Sequence, residues 1–355
     1  MNLDPNPSAP RHPGETVAEM LAATGMSKKE LSLRSGVSEK YIDMILRGSK
    51  EISYVFARRL ECALGLSARA WLDMQERYDE VRFVRKERES VQPEEFDAIV
   101  QLSPVLSVLR QMGFLRDRVD DTDAVLEVRN FLGVSDLTKV PEISSHLVSR
   151  AQHHGGVEPD PYLLLAWQQM CERMTEDVGT SASFGVEKLK ASIPAIRHLM
   201  FYSESELPFL LKKTFSACGV VFRGVLRFEG SSMRACIKQR GDGRLTLCVT
   251  ADAERQDIFW RRLFREIGHI VNERLRRFVD FSEQEDEDTF ADEILLPAEQ
   301  YNIFAALGNY SPEAVQRFAG SQTVPDYIVV ERLLRDGLLP ESEAENLPRY
   351  TWTEI

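Results

Sequence analysis

"GMSKKELSLRSGVSEKYIDMILRGSKEIS", Gly25 to Ser53, decides how the N-terminal part of the chain folds. Ser27 stands just ahead of Lys28–Ser35 with Glu30 three residues on, a capping box that opens a short helix. Gly36 ends it with a residue suited to positive φ. Ser38 caps a second helix running to about Arg47, and Gly48 closes that one. Leu31, Val37, Ile42 and Ile45 point to a shared core. Helix, tight turn and helix at this spacing predict a helix-turn-helix, whose second helix enters the major groove of DNA.

Charge around this stretch agrees. Residues 24–60 hold eight cations (Lys28, Lys29, Arg34, Lys40, Arg47, Lys50, Arg58, Arg59) against four acids, a local net of +4. The whole chain carries −12. A basic patch inside an acidic protein suits phosphate contact, which supplies much of DNA affinity, and the overall charge excludes a wholly basic nucleic-acid coat. Ser38, Lys40 and Tyr41, with Asp43 beside them, are the candidates for base edges; Lys28, Arg47 and Lys50 are placed for backbone phosphates.

The chain is 355 residues long, with room for two or three domains, and 43% hydrophobic with 28% charged residues, a globular composition. No apolar run approaches a membrane span. The N-terminus, "MNLDPNPSAPRHPGE", is polar and lacks the apolar centre of a signal peptide, so a cytoplasmic location without membrane association is expected. Five cysteines (Cys62, Cys171, Cys218, Cys236, Cys248) are scattered with no CxxC pair. Neither a disulfide framework nor a cysteine zinc site is expected from them.

From "HPGETVAEML" through "LGLSARAWLDMQERYD", residues 12–79, the chain resembles the HigA-type antitoxins of the XRE helix-turn-helix family. The resemblance implies a compact five-helix, lambda-repressor-like domain. It also implies a homodimer, a palindromic double-stranded DNA operator, and an operon encoding a toxin. Trp71, Met74 and Tyr78 match the family's closing helix and read as core packing.

Beyond the head, "QERYDEVRFVRKERES" reads as a charged helical connector. "QPEEFDAIVQLSPVLSVLRQMGF", "AVLEVRNFLGVSDLTKVPEI" and "DPYLLLAWQQMCERMTE" carry helical apolar spacing, the last opened by Asp160 and Pro161. His153 and His154 fall in a loop. "EKLKASIPAIRHLMFYSESELPFLLKKTFSACG" supplies two more helices. "GVVFRGVLRF" and "SMRACIKQRGDGRLTLCVTA" then alternate as strands, with "QRGDGR" as a hairpin turn.

"FWRRLFREIGHIVNE", Phe259 to Glu273, reads Arg265-Glu266-Ile267-Gly268-His269 where a zinc peptidase helix has His-Glu-x-x-His. Positions i and i+4 share a helix face, so the intact motif aims two imidazoles at one zinc, with the Glu as general base. Arg265 has no lone pair to give and puts a positive charge where the cation belongs. With "EDEDTFADEILLPAEQYNIF", Glu285–Phe304, this segment resembles the ImmA/IrrE metallopeptidases. The resemblance implies Glu266 as the remnant general base and His269 as a remnant ligand. It puts Asp286 at the third-ligand place, where the family usually has Glu.

Three readings of Arg265 stand. The site is inactive and Arg265 pairs with acids from the run Asp280, Glu283, Glu285, Asp286, Glu287, Asp288. Or zinc binds through His269, an acid and a distant residue such as His146, His153, His154 or His198. Or the helix is simply core. The order of segments resembles longer HigA-type proteins that carry an ImmA/IrrE domain. The expected fold is mainly α with a small α+β domain: a head at 1–80, a helical middle at 81–195, a zincin-like domain with a short antiparallel sheet at 196–310, and a helical extension at 311–355. The expected function is a DNA-binding repressor of the antitoxin type. Its peptidase-like domain holds no zinc and senses a signal or docks a toxin or repressor protein. The alternatives are a working metallopeptidase that cleaves a repressor or antitoxin, and an antitoxin that neutralises a toxin by direct contact.

Overall fold

A computed structural model describes residues 11–117, 119–145, 152–153, 160–229, 233–241, 243–250, 255–272 and 284–350. The chain divides into two compact units, Met1–Gln92 and Pro93–Ile355.

Among the described residues, the first unit, the head, has five helices: α1 (Pro13–Thr24), α2 (Lys28–Ser35), α3 (Glu39–Leu46), α4 (Tyr54–Leu64) and α5 (Ala68–Glu89). Local chemistry sets their ends. Ser27 Oγ accepts the Glu30 N–H at 3.1 Å and Ser38 Oγ that of Tyr41 at 3.2 Å. Gly25, Gly36 and Gly65 close α1, α2 and α4 in the left-handed region. Val17, Leu31, Ile42, Ile45, Phe56, Leu60 and Trp71 are buried in one core, with Val37 and Met74 packed against it. Tyr78 sits edge-on to His12 at 4.8 Å.

The second unit opens with α6 (Pro93–Gln111), α7 (Asp121–Leu132) and α8 (Val140–Ser145). Then come a two-residue strand β1 (Gln152–His153), α9 (Pro161–Thr175), α10 (Val186–His198) and α11 (Leu207–Ala217). Asp160 caps α9, accepting from the Tyr162 and Leu163 N–H groups. Strands β2 (Val220–Val225), β3 (Met233–Gln239) and β4 (Leu245–Thr250) lead into α12 (Gln256–Val271). After it run α13 (Gln284–Leu295), α14 (Ala298–Ala306), α15 (Pro312–Gln322) and α16 (Asp326–Arg335). The architecture is mainly α with a small sheet. Among the described residues, no helix is long and apolar enough to cross a membrane.

The sheet runs β1-β3-β4-β2. The β3–β4 hairpin is antiparallel, as its turn predicts, and Gly243 takes φ +83° there. The expectation of a purely antiparallel sheet is corrected by β2, which pairs with β4 in parallel. The physical reason lies in β4, "LTLCVT", buried at all six positions. A strand buried on both faces belongs in the sheet's interior, so β2 is separated from β3 and joins β4's far edge. Side chains alternate across a strand. Leu245, Leu247 and Val249 enter a core shared with Phe215, Phe259, Leu263 and Ile267. Thr246, Cys248 and Thr250 take the alternate positions. The core runs from Leu189 to Tyr350, across positions 195 and 310 where the sequence suggests boundaries. The sheet, α10 to α13 and the last helices therefore share one interior.

Candidate nucleic-acid interface and the altered helix

In the head, α3 presents Ser38, Lys40, Arg47 and the following Lys50 as exposed residues, with Lys28 exposed at the start of α2. Their surroundings differ. Lys28 forms an ion pair with Asp43, and that hydrogen bond holds the Asp43 carboxyl below its ordinary range. Ser38 Oγ is engaged as the α3 cap. Tyr41 is half-buried, its ring edge-on to Phe56 at 5.1 Å and the Lys50 ammonium 4.9 Å from its centroid. Among the described residues Lys40 and Arg47 make no ion pair, so neither has an internal partner to give up on meeting a phosphate. Arg34 pairs with Glu30 and Arg58 with Glu61.

Two features that hold α3 in place have no short-range signal in the sequence. Arg59 Nη1 donates to the Gly36 carbonyl at 3.1 Å, clamping the turn between α2 and α3 from α4. His12 Nδ1 accepts the Gly14 N–H at 2.9 Å and so caps α1. That bond needs an unprotonated Nδ1, and burial pushes the His12 pKa below its ordinary value.

Residues 17–71 match the family model described as Helix-turn-helix. The head belongs to the XRE-type helix-turn-helix family. Two solved structures are similar to this chain. An antidote protein of a plasmid maintenance system from Nostoc punctiforme is 31% identical, over 22% of this chain and 88% of that one, with a TM-score of 0.22. An addiction module antidote protein of a HigA family from Coxiella burnetii is 30% identical, over 24% of this chain and 97% of that one, with a TM-score of 0.21. No curated protein matches the chain. The helix-turn-helix domain thus covers the very stretch whose caps and turn set α2 and α3.

The altered motif lies on α12. Arg265, Glu266 and His269 are all buried, at 4%, 2% and 4% exposure, so this helix face is interior. Trp260 Nε1 donates to Tyr350 Oη at 2.9 Å and anchors the same helix. Arg265 Nε lies 2.8 Å from Asp288 Oδ1 on α13. Arg261, one turn earlier, reaches the same oxygen at 3.1 Å and Asp292 Oδ1 at 3.2 Å. From α16, Arg332 and Arg335 close on Asp292 at 2.7 and 2.8 Å. Four arginines and two aspartates thus tie α12, α13 and α16 together. Asp286 sits in α13, but its side chain is outside the described residues. So are the side chains of Glu285, Glu287 and His153, and all of Asp280, Glu283, His146 and His154. His198 is exposed at the end of α10, against the rings of Phe201 and Tyr202. Among the described residues, no three His, Cys, Asp or Glu side chains are grouped to hold a metal ion.

Proposed function

We propose that this protein is a DNA-binding regulator of the antitoxin type. A dimer would bind a palindromic site near its own gene through α3. The observation that carries the reading is the helix-turn-helix head with Lys40 and Arg47 exposed and unpaired beside its recognition helix. The test is fluorescence anisotropy with duplex DNA from upstream of the coding sequence, across a salt series. Arg47→Ala should weaken binding to every sequence alike and lower the slope of log K against log salt by about 0.9, one phosphate contact. Absence of binding by the parent protein at low salt would overturn the reading.

The second unit, on this reading, keeps the form of an ImmA/IrrE-like domain without peptidase chemistry, and acts as a sensor or a dock for a toxin or repressor. The residues in place do not fit zinc. A guanidinium cannot coordinate a cation, and Arg265 already neutralises the acid it meets on α13. Elemental analysis of protein purified without an affinity tag and dialysed against trace zinc should find essentially none. A value near one per chain would sink the inactive-site reading and leave the DNA-binding one untouched.

A further inference from the structure

Cysteines that stand far apart in the sequence meet in the second unit. Cys171 comes from α9, Cys236 from β3 and Cys248 from β4. Cys236 and Cys248 are direct partners across the antiparallel β3–β4 pair, a placement that sets opposed Cβ atoms about 4.5–5.5 Å apart. That is at the edge of the span a disulfide bridges, so a small strand movement suffices. Cys171, buried on α9, lies close enough to Cys248 for the two thiols to influence each other's charge. All three line one cavity of about 470 Å³, together with Glu172, Lys238 and Thr246. Thr246 is 5% exposed, and its buried hydroxyl oxygen has no hydrogen-bond partner.

We propose that Cys171, Cys236 and Cys248 form an oxidation site that admits a small hydroperoxide through this cavity and closes a disulfide on Cys248. Cys236 is the only one of the three that is not fully buried, so it is the entry thiol. Its thiolate attacks the peroxide: the S–O bond forms, the O–O bond breaks, and the departing alkoxide or hydroxide takes up the thiol proton. Cys248 then attacks the sulfenic sulfur, the S–S bond forms, and water leaves. The peroxide gains two electrons and the two thiols lose two. Exchange with the neighbouring Cys171 moves the bond between α9 and β4, tying the helix to the sheet. Burial pushes the Cys171 and Cys236 thiols up, with Lys238 opposing this at Cys236. The resting thiols stay protonated, so the reaction is slow and restricted to oxidants small enough to enter.

The test uses the full chain carrying Cys62→Ser, which removes the exposed thiol. Folded protein is treated with hydrogen peroxide or with glutathione disulfide, alkylated, digested without reduction and mapped by mass spectrometry. Peroxide should yield a linked peptide joining Cys248 to Cys236 or Cys171, with two thiols lost together. Glutathione disulfide should react at least tenfold more slowly. Cys248→Ser should abolish the link and leave Cys236 as its sulfenic or sulfinic acid. If that variant does not fold, Cys236→Ser replaces it and should slow thiol loss at least tenfold. Oxidation confined to Cys218, or a linked peptide formed only after denaturation, would overturn the proposal.

Discussion

Glu95→Ala should destabilise the second unit by about 3–5 kcal/mol, the cost of breaking a buried ion pair by removing one partner. Glu95, on α6, is fully buried. Its carboxylate accepts from Arg129 Nε at 2.7 Å and Nη2 at 2.5 Å on α7, and from the Leu137 N–H at 3.0 Å. One side chain thus joins α6, α7 and the short 3-10 turn Leu137–Lys139. The alanine variant loses the bidentate bond and takes from the 9%-exposed Arg129 guanidinium the buried carboxylate that balances it. Urea unfolding gives the magnitude. A paired Glu95→Met, Arg129→Met variant should recover much of the loss, because it removes both charges and refills the volume. A single-variant cost under about 1 kcal/mol would mean that the pair behaves in solution like an exposed one.

The second large effect belongs to the head. A Cβ added at Gly14 would lie 2.0 Å from the Ile45 carbonyl oxygen and 2.8 Å from His12 Nδ1. The first neighbour is backbone, so α1 must retreat from the end of α3. Overpacking of this kind typically costs about 1–3 kcal/mol. Here the cap at His12 is lost as well, about another 1 kcal/mol. Gly14→Ala should therefore unfold the head at markedly lower urea and abolish specific DNA binding, since α3 loses its support. Gly25→Ala is the comparison. Gly25 has φ +66° but nothing within 4 Å of the added carbon, so its cost is the backbone strain alone, about 1–2 kcal/mol. Equal stability of the two variants would show that α1 and α3 approach less closely than this.

The contrast between those two glycines also marks where sequence reading stops. Gly25 follows a helix and is legible as a left-handed cap. Gly14 is in the first turn of α1, where nothing local announces that another helix's carbonyl lies against it. The same division runs through the altered motif. The loss of a ligand at Arg265 is plain from the five-residue spacing, because i and i+4 share a face whatever surrounds the helix. That Asp288 receives the guanidinium, and that Arg332 and Arg335 converge on Asp292 from α16, depends on how α12, α13 and α16 pack. Pro194 is a further case: proline breaks many helices, yet α10 continues through it, with Leu189, Ile193 and Ile196 buried in the core.

What the sequence determined alone is the helix-turn-helix. Its caps at Ser27 and Ser38, its turn at Gly36 and its buried Leu31, Ile42 and Ile45 are all written within a few residues of one another. So are the β3–β4 hairpin and the defect at Arg265. The tertiary structure decided the parallel pairing of β2, the convergence of three distant cysteines, the Arg265–Asp288 pair and the Glu95–Arg129 bond. The reason is physical. Caps, turns and periodicities are satisfied by hydrogen bonds and side-chain directions between near neighbours. A buried charge, a strand edge or a thiol is satisfied only by whatever group the packed chain brings to it, and that partner can come from anywhere in the sequence.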